Sequence, residues 1–354
     1  MKKVSYCLLI LAILFPAVFF AQAGPTFQSR FTAAQLTNAP ARLIPFPQLF
    51  EWEEATVAVT GWRISDGGEL SEVLRRELQS IAAFYGLSSD SQNGLSLHFR
   101  QDAQIEPEGY RLAVSLAGIE LVAATETGFF YGLQTLRQLL QTNKGQVTLP
   151  VCRIEDAPAF PVRGYMIDVG RNFQSMSTLK KQLDIMARYK LNTFHWHLTD
   201  RPAWRIESKK YPELTAAEHH RPGRSPGQFY TYEEIRALIQ YARERHIQVI
   251  PEIDMPGHSD SFVRSMGVRM ESEEGVAILK NVLAEFFQEI PVEDCPIIHI
   301  GSDEVRIDHP EEFIAQMVAF CESNDRQVMI WNPGLPAHEG VIRQTWQGKD
   351  IVPA

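Results

Sequence analysis

The chain has 354 residues, with Lys+Arg 34 against Asp+Glu 43, a net charge of −9 and a pI near 5.6. That balance lacks the basic excess of a general nucleic-acid binder. Hydrophobic residues at 45% and charged ones at 22% exclude wholesale disorder, and the length suggests about two domains.

The first 23 residues read as a secretory signal peptide. Lys2 and Lys3 form a basic start, Leu8 to Phe20 an apolar core, and Ala21-Gln22-Ala23 a small-x-small cleavage site. The alternative is an uncleaved anchor. Cleavage would remove both lysines, take the net charge from −9 to −11 and leave no membrane span. The expected location is secreted or periplasmic, in a bacterium. Beyond Cys7, Cys152, Cys295 and Cys321 are too sparse for a disulfide framework or a clustered metal site, and buried free thiols are expected.

Residues 24–157 predict a small α+β domain. Ala55–Val59 reads as a strand. Leu70, Val73, Leu74, Leu78, Ile81 and Phe84 fall at helical spacing. Leu95–Phe99, Tyr110–Leu116 and Leu121–Ala124 read as strands, and Thr127–Leu140 as an amphipathic helix. The breaker-rich run Asp156–Pro161 marks a boundary.

Residues 158–354 change pattern. Apolar strands at Gly164–Val169, Thr193–Leu198, Gln248–Ile253, Ile297–Ile300, Gln327–Trp331 and Val341–Trp346 alternate with helices at Ser177–Tyr189, Tyr232–Arg245, Gly275–Gln288 and Glu311–Glu322. This is the signature of a parallel sheet covered by helices. Polar residues gather at the strand C-terminal ends, where a (β/α)8 barrel builds its active site. A doubly wound sheet also binds ligands there, but no glycine-rich phosphate loop follows any strand. About six strands are visible, so the fold class is α/β, a TIM-type barrel that is incomplete, preceded by the α+β domain.

Four segments carry chemistry. His299–Val305 ends an apolar strand in adjacent carboxylates, Asp303 and Glu304. Two acids held close cannot both ionise freely, and one can serve as a general acid; the acidic first turn of a helix is the alternative. Asn192–Asp200 places His195 and His197 on one strand face with Asp200 at its end. A His-x-His pair can bind zinc, with His258, His299 and Asp303 as further ligands; hydrogen-bonded interior histidines are the preferred reading. Val249–His258 sets Glu252 and Asp254 on one face and presents His258 on a loop; either acid could be structural. Phe160–Arg171 offers Arg163 and Arg171 as guanidiniums for hydroxyls, or as partners in plain salt bridges. Trp331 and Trp346 close successive strands and suit the apolar face of a sugar.

Together RGYMIDVGR, NTFHWHLTD, WRIESKKYPELT, YTYEEIRALIQYARERHIQVIPEIDMPGH and HIGSDEV resemble glycoside hydrolase family 20, the β-N-acetylhexosaminidases, across about 158–350. The preceding α+β unit resembles the small domain of that family. The resemblance implies an exo-acting hydrolase of terminal β-linked GlcNAc or GalNAc with a substrate-assisted, retaining mechanism. It implies Glu304 as general acid and Asp303 as the group that orients the acetamide. It also implies Arg163 on sugar hydroxyls, Asp200 and His258 as a relay behind the acid, and Trp331 and Trp346 as pocket walls. The scheme needs no metal and no cofactor; its partner is a glycan ending in β-N-acetylhexosamine.

The chain departs from the family pattern in three places. Arg201-Pro202 follows Asp200, Ser302 replaces a common glycine, and the family's seventh and eighth strands have no counterpart. A fragment, a frame-shifted product or one part of a split assembly is the expectation from that last departure. The competing readings are a catalytically dead carbohydrate-binding relic and a metal-dependent amidohydrolase built on His195 and His197.

Overall fold

The computed structural model describes residues 32–64, 70–89 and 91–347. The expected signal peptide lies outside them. Two layered units follow one another along the chain.

The first unit begins with the short helix α1 (Ala33–Asn38) and is a sheet covered by two longer helices. Its strands are β1 (Leu49–Ala58), β2 (Trp62–Ile64), β3 (Leu95–Gln101), β4 (Tyr110–Val114), β5 (Gly118–Ala123), β6 (Gln141–Asn143) and β7 (Gln146–Asp156). The order is β1-β7-β4-β5-β3-β2, with β6 paired to β7. The helix α2 (Glu72–Tyr85) starts at Ser71, whose hydroxyl accepts from the Leu74 N–H, and stops at Gly86 with φ +67°. Helix α3 (Glu126–Leu139) is capped by Thr125. The sequence reading found α2, α3 and the middle strands but missed β2 and β7. Strand β7 lies centrally between β1 and β4 and is buried at Val147, Leu149, Val151, Cys152 and Ile154. Its Pro150 and its charged end hid a strand whose partners are about a hundred residues away along the chain.

The second unit is a six-stranded, wholly parallel sheet in the order β15-β14-β13-β12-β9-β8. The strands are β8 (Gly164–Asp168), β9 (Thr193–His197), β12 (Gln248–Glu252), β13 (Ile297–His299), β14 (Gln327–Asn332) and β15 (Ile342–Thr345). Helices follow β8, β9, β12 and β13, whereas β14 runs into β15 without one. The helices are α4 (Met176–Arg188), α5 (Tyr232–Arg243), α6 (Asp260–Met266), α7 (Glu273–Glu289) and α8 (Pro310–Glu322). The six strands form part of a barrel wall, with β8 and β15 as its edges among the described residues. The small hairpin β10 (Thr199–Asp200) and β11 (Ala203–Trp204) sits above β9; it and α6 were not expected. Local signals set the helix starts. Ser175 and Ser272 cap α4 and α7, and Thr231 with Glu234 forms a reciprocal capping box on α5.

The two units are pinned together at the N-terminal ends of the barrel strands. Lys190 is buried and donates to Tyr110 Oη (2.8 Å) and Asp156 Oδ2 (2.9 Å). Arg163 spans the junction as well, which bears on the site below. Cys152, Cys295 and Cys321 are buried free thiols, as expected.

Candidate active site

All strands of a parallel sheet point one way, so their C-terminal ends share one rim. That rim collects Asp168 and Arg171 after β8, His197 and Asp200 after β9, Glu252 to His258 after β12, Asp303 and Glu304 after β13, and Trp331 after β14.

The turn after β13 is built under backbone strain. Gly301, Ser302 and Glu304 all have positive φ, at +68°, +87° and +50°. A Cβ at Gly301 would overlap the Asp254 carboxylate, and one at Gly257 would meet the Asp303 carbonyl oxygen at 2.7 Å. The two turns therefore interlock through glycine. The result holds Asp303 inward, 8% exposed, and Glu304 outward with half its side chain exposed.

Behind Glu304 stands His258. Its Nε2 lies 3.1 Å from Glu304 Oε2, and its Nδ1 lies 2.7 Å from Asp254 Oδ2. The hydrogen bond to Asp254 raises the imidazole to about 9 against the cost of burial. Each ring nitrogen faces a carboxylate oxygen, so the protonated ring can donate from both, while burial raises the Asp254 carboxyl to about 7. Asp254 Oδ1 also lies 3.3 Å from the Ser302 N–H, which ties the relay to the strained turn. Asp303 Oδ1 is buried and accepts no hydrogen bond among the described residues. Burial pushes the Asp303 carboxyl up, the nearby His258 opposes this, and the charges of Glu252 and Glu304 add to it.

Beneath this layer lies a second one centred on Glu252, which is fully buried. Its Oε2 receives His195 Nε2 at 2.7 Å and His197 Nδ1 at 2.5 Å, and its Oε1 receives Trp331 Nε1 at 2.8 Å. Burial works to raise this carboxyl, but the facing imidazoles hold it well below the usual range. His197 Nε2 continues to Asp200 Oδ2 (3.0 Å), and Asp200 Oδ2 pairs with Arg171 Nη2 (2.9 Å). Arg171 also grips Asp168 at 2.6 Å.

Donor atoms within His195/Glu252/His299, Asp168/His197/Asp200, His197/Glu252/Asp254 and Asp200/Asp254/His258 each fall within 4.8 Å of one another. His195, His197, Asp168, Asp200, Glu252, Asp254 and His258 are already engaged in hydrogen bonds. His299 Nδ1 accepts the Gly301 N–H at 3.0 Å, its Nε2 is buried without a hydrogen-bond partner among the described residues, and burial lowers its ring to about 3. His195 and His197 are thus hydrogen-bonded interior residues, and no residue here is assigned as a metal ligand.

Two expectations need correction. Arg163 was expected on substrate hydroxyls, yet it precedes β8 and so sits at the opposite end of the sheet. Its guanidinium binds Glu108 (2.8 Å), Tyr131 Oη (3.0 Å) and the carbonyls of Phe160 (2.7 Å) and Lys190 (2.7 Å). It is an inter-domain pin, and Arg171 is the arginine on the rim. Asp200 was expected behind His258, but the atom bonded to Nδ1 belongs to Asp254, four residues earlier across the Pro256-Gly257 turn. Asp200 faces His197 and Arg171 instead. Asp303, Glu304, His258 and Trp331 do converge. Trp346 stands just past β15, 37% exposed, with its indole N–H on the Pro333 carbonyl (3.0 Å). The role of Glu252 as a hub was not foreseen. Its sharing of a strand face with Asp254 was the one available signal.

A (β/α) sheet whose rim brings a half-exposed Glu304, His258 and Asp254 together is the setting in which the chain's likeness to known proteins falls. The family model "Glycosyl hydrolase family 20, domain 2" matches residues 40–157, and "Glycosyl hydrolase family 20, catalytic domain" matches 160–275. The chain belongs to glycoside hydrolase family 20. The second match takes in Arg171, Asp200, Glu252, Asp254 and His258 and stops before Asp303.

A beta-hexosaminidase of Porphyromonas gingivalis is 47% identical over 165 residues, 44% of this chain and 21% of the relative. One from Vibrio furnissii is 34% identical over 260 residues, 70% of this chain and 42% of the relative. Among solved structures, the exo-β-N-acetylglucosaminidase of Vibrio harveyi in complex with N-acetylglucosamine superposes with a TM-score of 0.78 at 26% identity. That alignment covers 88% of this chain and 58% of the other. The chain thus spans less than half the length of these two curated relatives.

Proposed function

We propose that this chain is a secreted or periplasmic glycosidase acting on terminal β-linked N-acetylhexosamine, GlcNAc or GalNAc, by a substrate-assisted, retaining route. The observation that carries this reading is the Asp303–Glu304 turn. It sets a buried acceptor with no hydrogen bond among the described residues, 3.7 Å from His258 Nδ1, beside an exposed acid held by a cationic histidine. The relatives named as hexosaminidases, and the neighbour whose structure contains N-acetylglucosamine, support the same substrate class. No helix among the described residues is long and apolar enough to cross a membrane.

The geometry suits the following steps. Asp303 Oδ1 accepts the acetamide N–H and turns the acetamide oxygen toward the anomeric carbon. That oxygen forms a bond to the carbon while the glycosidic bond breaks. Glu304 gives its proton to the departing oxygen. The resulting oxazolinium cation is stabilised by the negative charge on Asp303. Water then adds to the anomeric carbon, Glu304 takes its proton, and the acetamide oxygen leaves. His258 holds Glu304 Oε2, which leaves Oε1 to carry the proton. Arg171 addresses sugar hydroxyls, and Trp331 and Trp346 form walls beside the acetamide.

Single-turnover hydrolysis of 4-nitrophenyl β-N-acetylglucosaminide by the purified chain tests this. Glu304→Gln is expected to lower the rate by roughly 10²–10⁴-fold, and Asp303→Asn to lower it comparably. A folded wild-type chain that binds N-acetylglucosamine without hydrolysing the substrate would favour the binding-relic reading.

A further inference from the structure

We propose that His197 is a fixed imidazolium that acts as a positioning residue, locking Arg171 and Trp331 to one another as the two ends of a single row of hydrogen bonds and one ion pair beneath the sugar site. The inference rests on the glycosidase reading for its purpose, but not for its chemistry.

The argument is a count of donors. His197 Nδ1 lies 2.5 Å from Glu252 Oε2, and Nε2 lies 3.0 Å from Asp200 Oδ2. A neutral imidazole has one N–H and one lone pair, so one of these approaches would set a lone pair against a carboxylate oxygen. A single proton must relieve the clash, and only three groups could hold it. Asp200 cannot readily be the acid. Its Oδ2 already faces Arg171 Nη2 at 2.9 Å, and its Oδ1 accepts the Arg201 N–H at 2.5 Å. Glu252 is equally committed to accepting. Its two oxygens take His195 Nε2 at 2.7 Å and Trp331 Nε1 at 2.8 Å besides His197. The proton therefore belongs on the ring. The other charged or titratable groups packed around it are Asp254 on the loop after β12, Asp168 at the end of β8, His195 beside it on β9 and His299 on β13. Burial opposes a charge on His197, and the neighbouring carboxylates overcome it, so its pKa is raised well above the ordinary value.

The consequence is mechanical. The row Arg171–Asp200–His197–Glu252–Trp331 crosses the sheet from the loop after β8 to β14; its Arg171–Asp200 link is an ion pair and its other three links are hydrogen bonds to carboxylates. Arg171 is partly exposed on the rim, and Trp331 is buried 8% exposed at the wall. His197 touches neither ligand position, so its role is exerted through its two carboxylates. A ring with both N–H groups donating also has no lone pair to offer a metal ion.

The test is a 15N spectrum of the full chain labelled at histidine, recorded from pH 5 to 8. His197 is expected to keep both ring nitrogens protonated throughout, while ordinary histidines become neutral. His258 shares the charged state, so His258→Asn serves as the control: the doubly protonated ring that persists in it is that of His197. If no ring remains doubly protonated at pH 8, or if none persists in His258→Asn, the proposal fails. The mechanical half is read from the Trp331 indole N–H, identified by its loss in Trp331→Phe. In His197→Gln this resonance is expected to shift and to lose protection from hydrogen exchange. An unchanged indole in a folded His197→Gln chain would overturn the coupling. Should that variant not fold, Asp200→Asn, which cuts the row on the far side of His197, is expected to move the same indole resonance. Neither readout requires turnover, so a chain that fails to hydrolyse glycosides would refute the function above without touching this result. In a chain that binds N-acetylglucosamine, His197→Gln is expected to raise Kd about tenfold or more.

Discussion

Ser302 holds φ +87° with its hydroxyl buried and unpartnered among the described residues. Both features cost stability: left-handed backbone about 1–2 kcal/mol for an L-residue, and an unsatisfied buried hydroxyl a further ~1–3 kcal/mol. Ser302→Gly removes both and adds some unfolded-state entropy. It is expected to raise stability by about 1 kcal/mol, measured as the denaturation midpoint. At the same scale His258 gives a pH signature. Its folded value is raised to about 9, chiefly by Asp254, against roughly 6.5 in the unfolded chain. The stabilisation is therefore fully present below about pH 6.5 and is lost as pH rises through 9. Asp254→Asn is expected to lower the His258 titration toward its ordinary value and to flatten that alkaline loss of stability. An imidazole signal that titrates near 9 in the variant would contradict the assignment. The Asp303–Glu304 pair was legible because an apolar strand ended abruptly in two acids. The exchange of Arg163 for Arg171 was not. Both flank the same strand, and only the direction of β8 says which end faces substrate.

Apolar spacing placed the starts of α2, α3, α4, α5, α7 and α8 to within two residues, because helical period is a local property. Thr231→Ala removes one partner of the α5 capping box and is expected to cost about 1 kcal/mol in equilibrium unfolding. The junction between the two units is the opposite case. Arg163 contacts Glu108, which lies 55 residues earlier, so no window of sequence reports it. Truncating Arg163 to Ala would leave the Glu108 carboxylate partly buried with one cation fewer and strip two backbone carbonyls of their donor. A loss of about 2 kcal/mol is expected. The test compares stability with ligand affinity: N-acetylglucosamine binding should survive, since Arg163 lies at the far end of the sheet. A selective loss of binding at unchanged stability would return Arg163 to the role first expected of it. Strand β7 was missed for a related reason. Its apolar run is short on either side of Pro150, and its place between β1 and β4 depends on distant partners.

At the scale of the whole molecule, the described sheet carries exposed apolar side chains beside its β8 edge. Val162 and Tyr165 at the β8 edge are 68% and 45% exposed, and Ile185 and Tyr189 on the following helix are 43% exposed. An unpaired parallel edge beside apolar side chains favours association. Light scattering on the purified chain is expected to show mass rising with concentration, and Val162→Lys with Tyr165→Lys to suppress it. A monomer at every concentration, unmoved by these substitutions, would be inconsistent with that account. The βα alternation, the parallel sheet and the family resemblance all followed from the sequence alone, because hydrophobic period and short motifs act over a few neighbours. Only the tertiary structure decided which arginine faces the rim, which acid backs His258 and that Glu252 is the hub of the interior. Those outcomes depend on side chains that approach within 3 Å or so from different strands. Such meetings are set by strand register and direction rather than by local sequence.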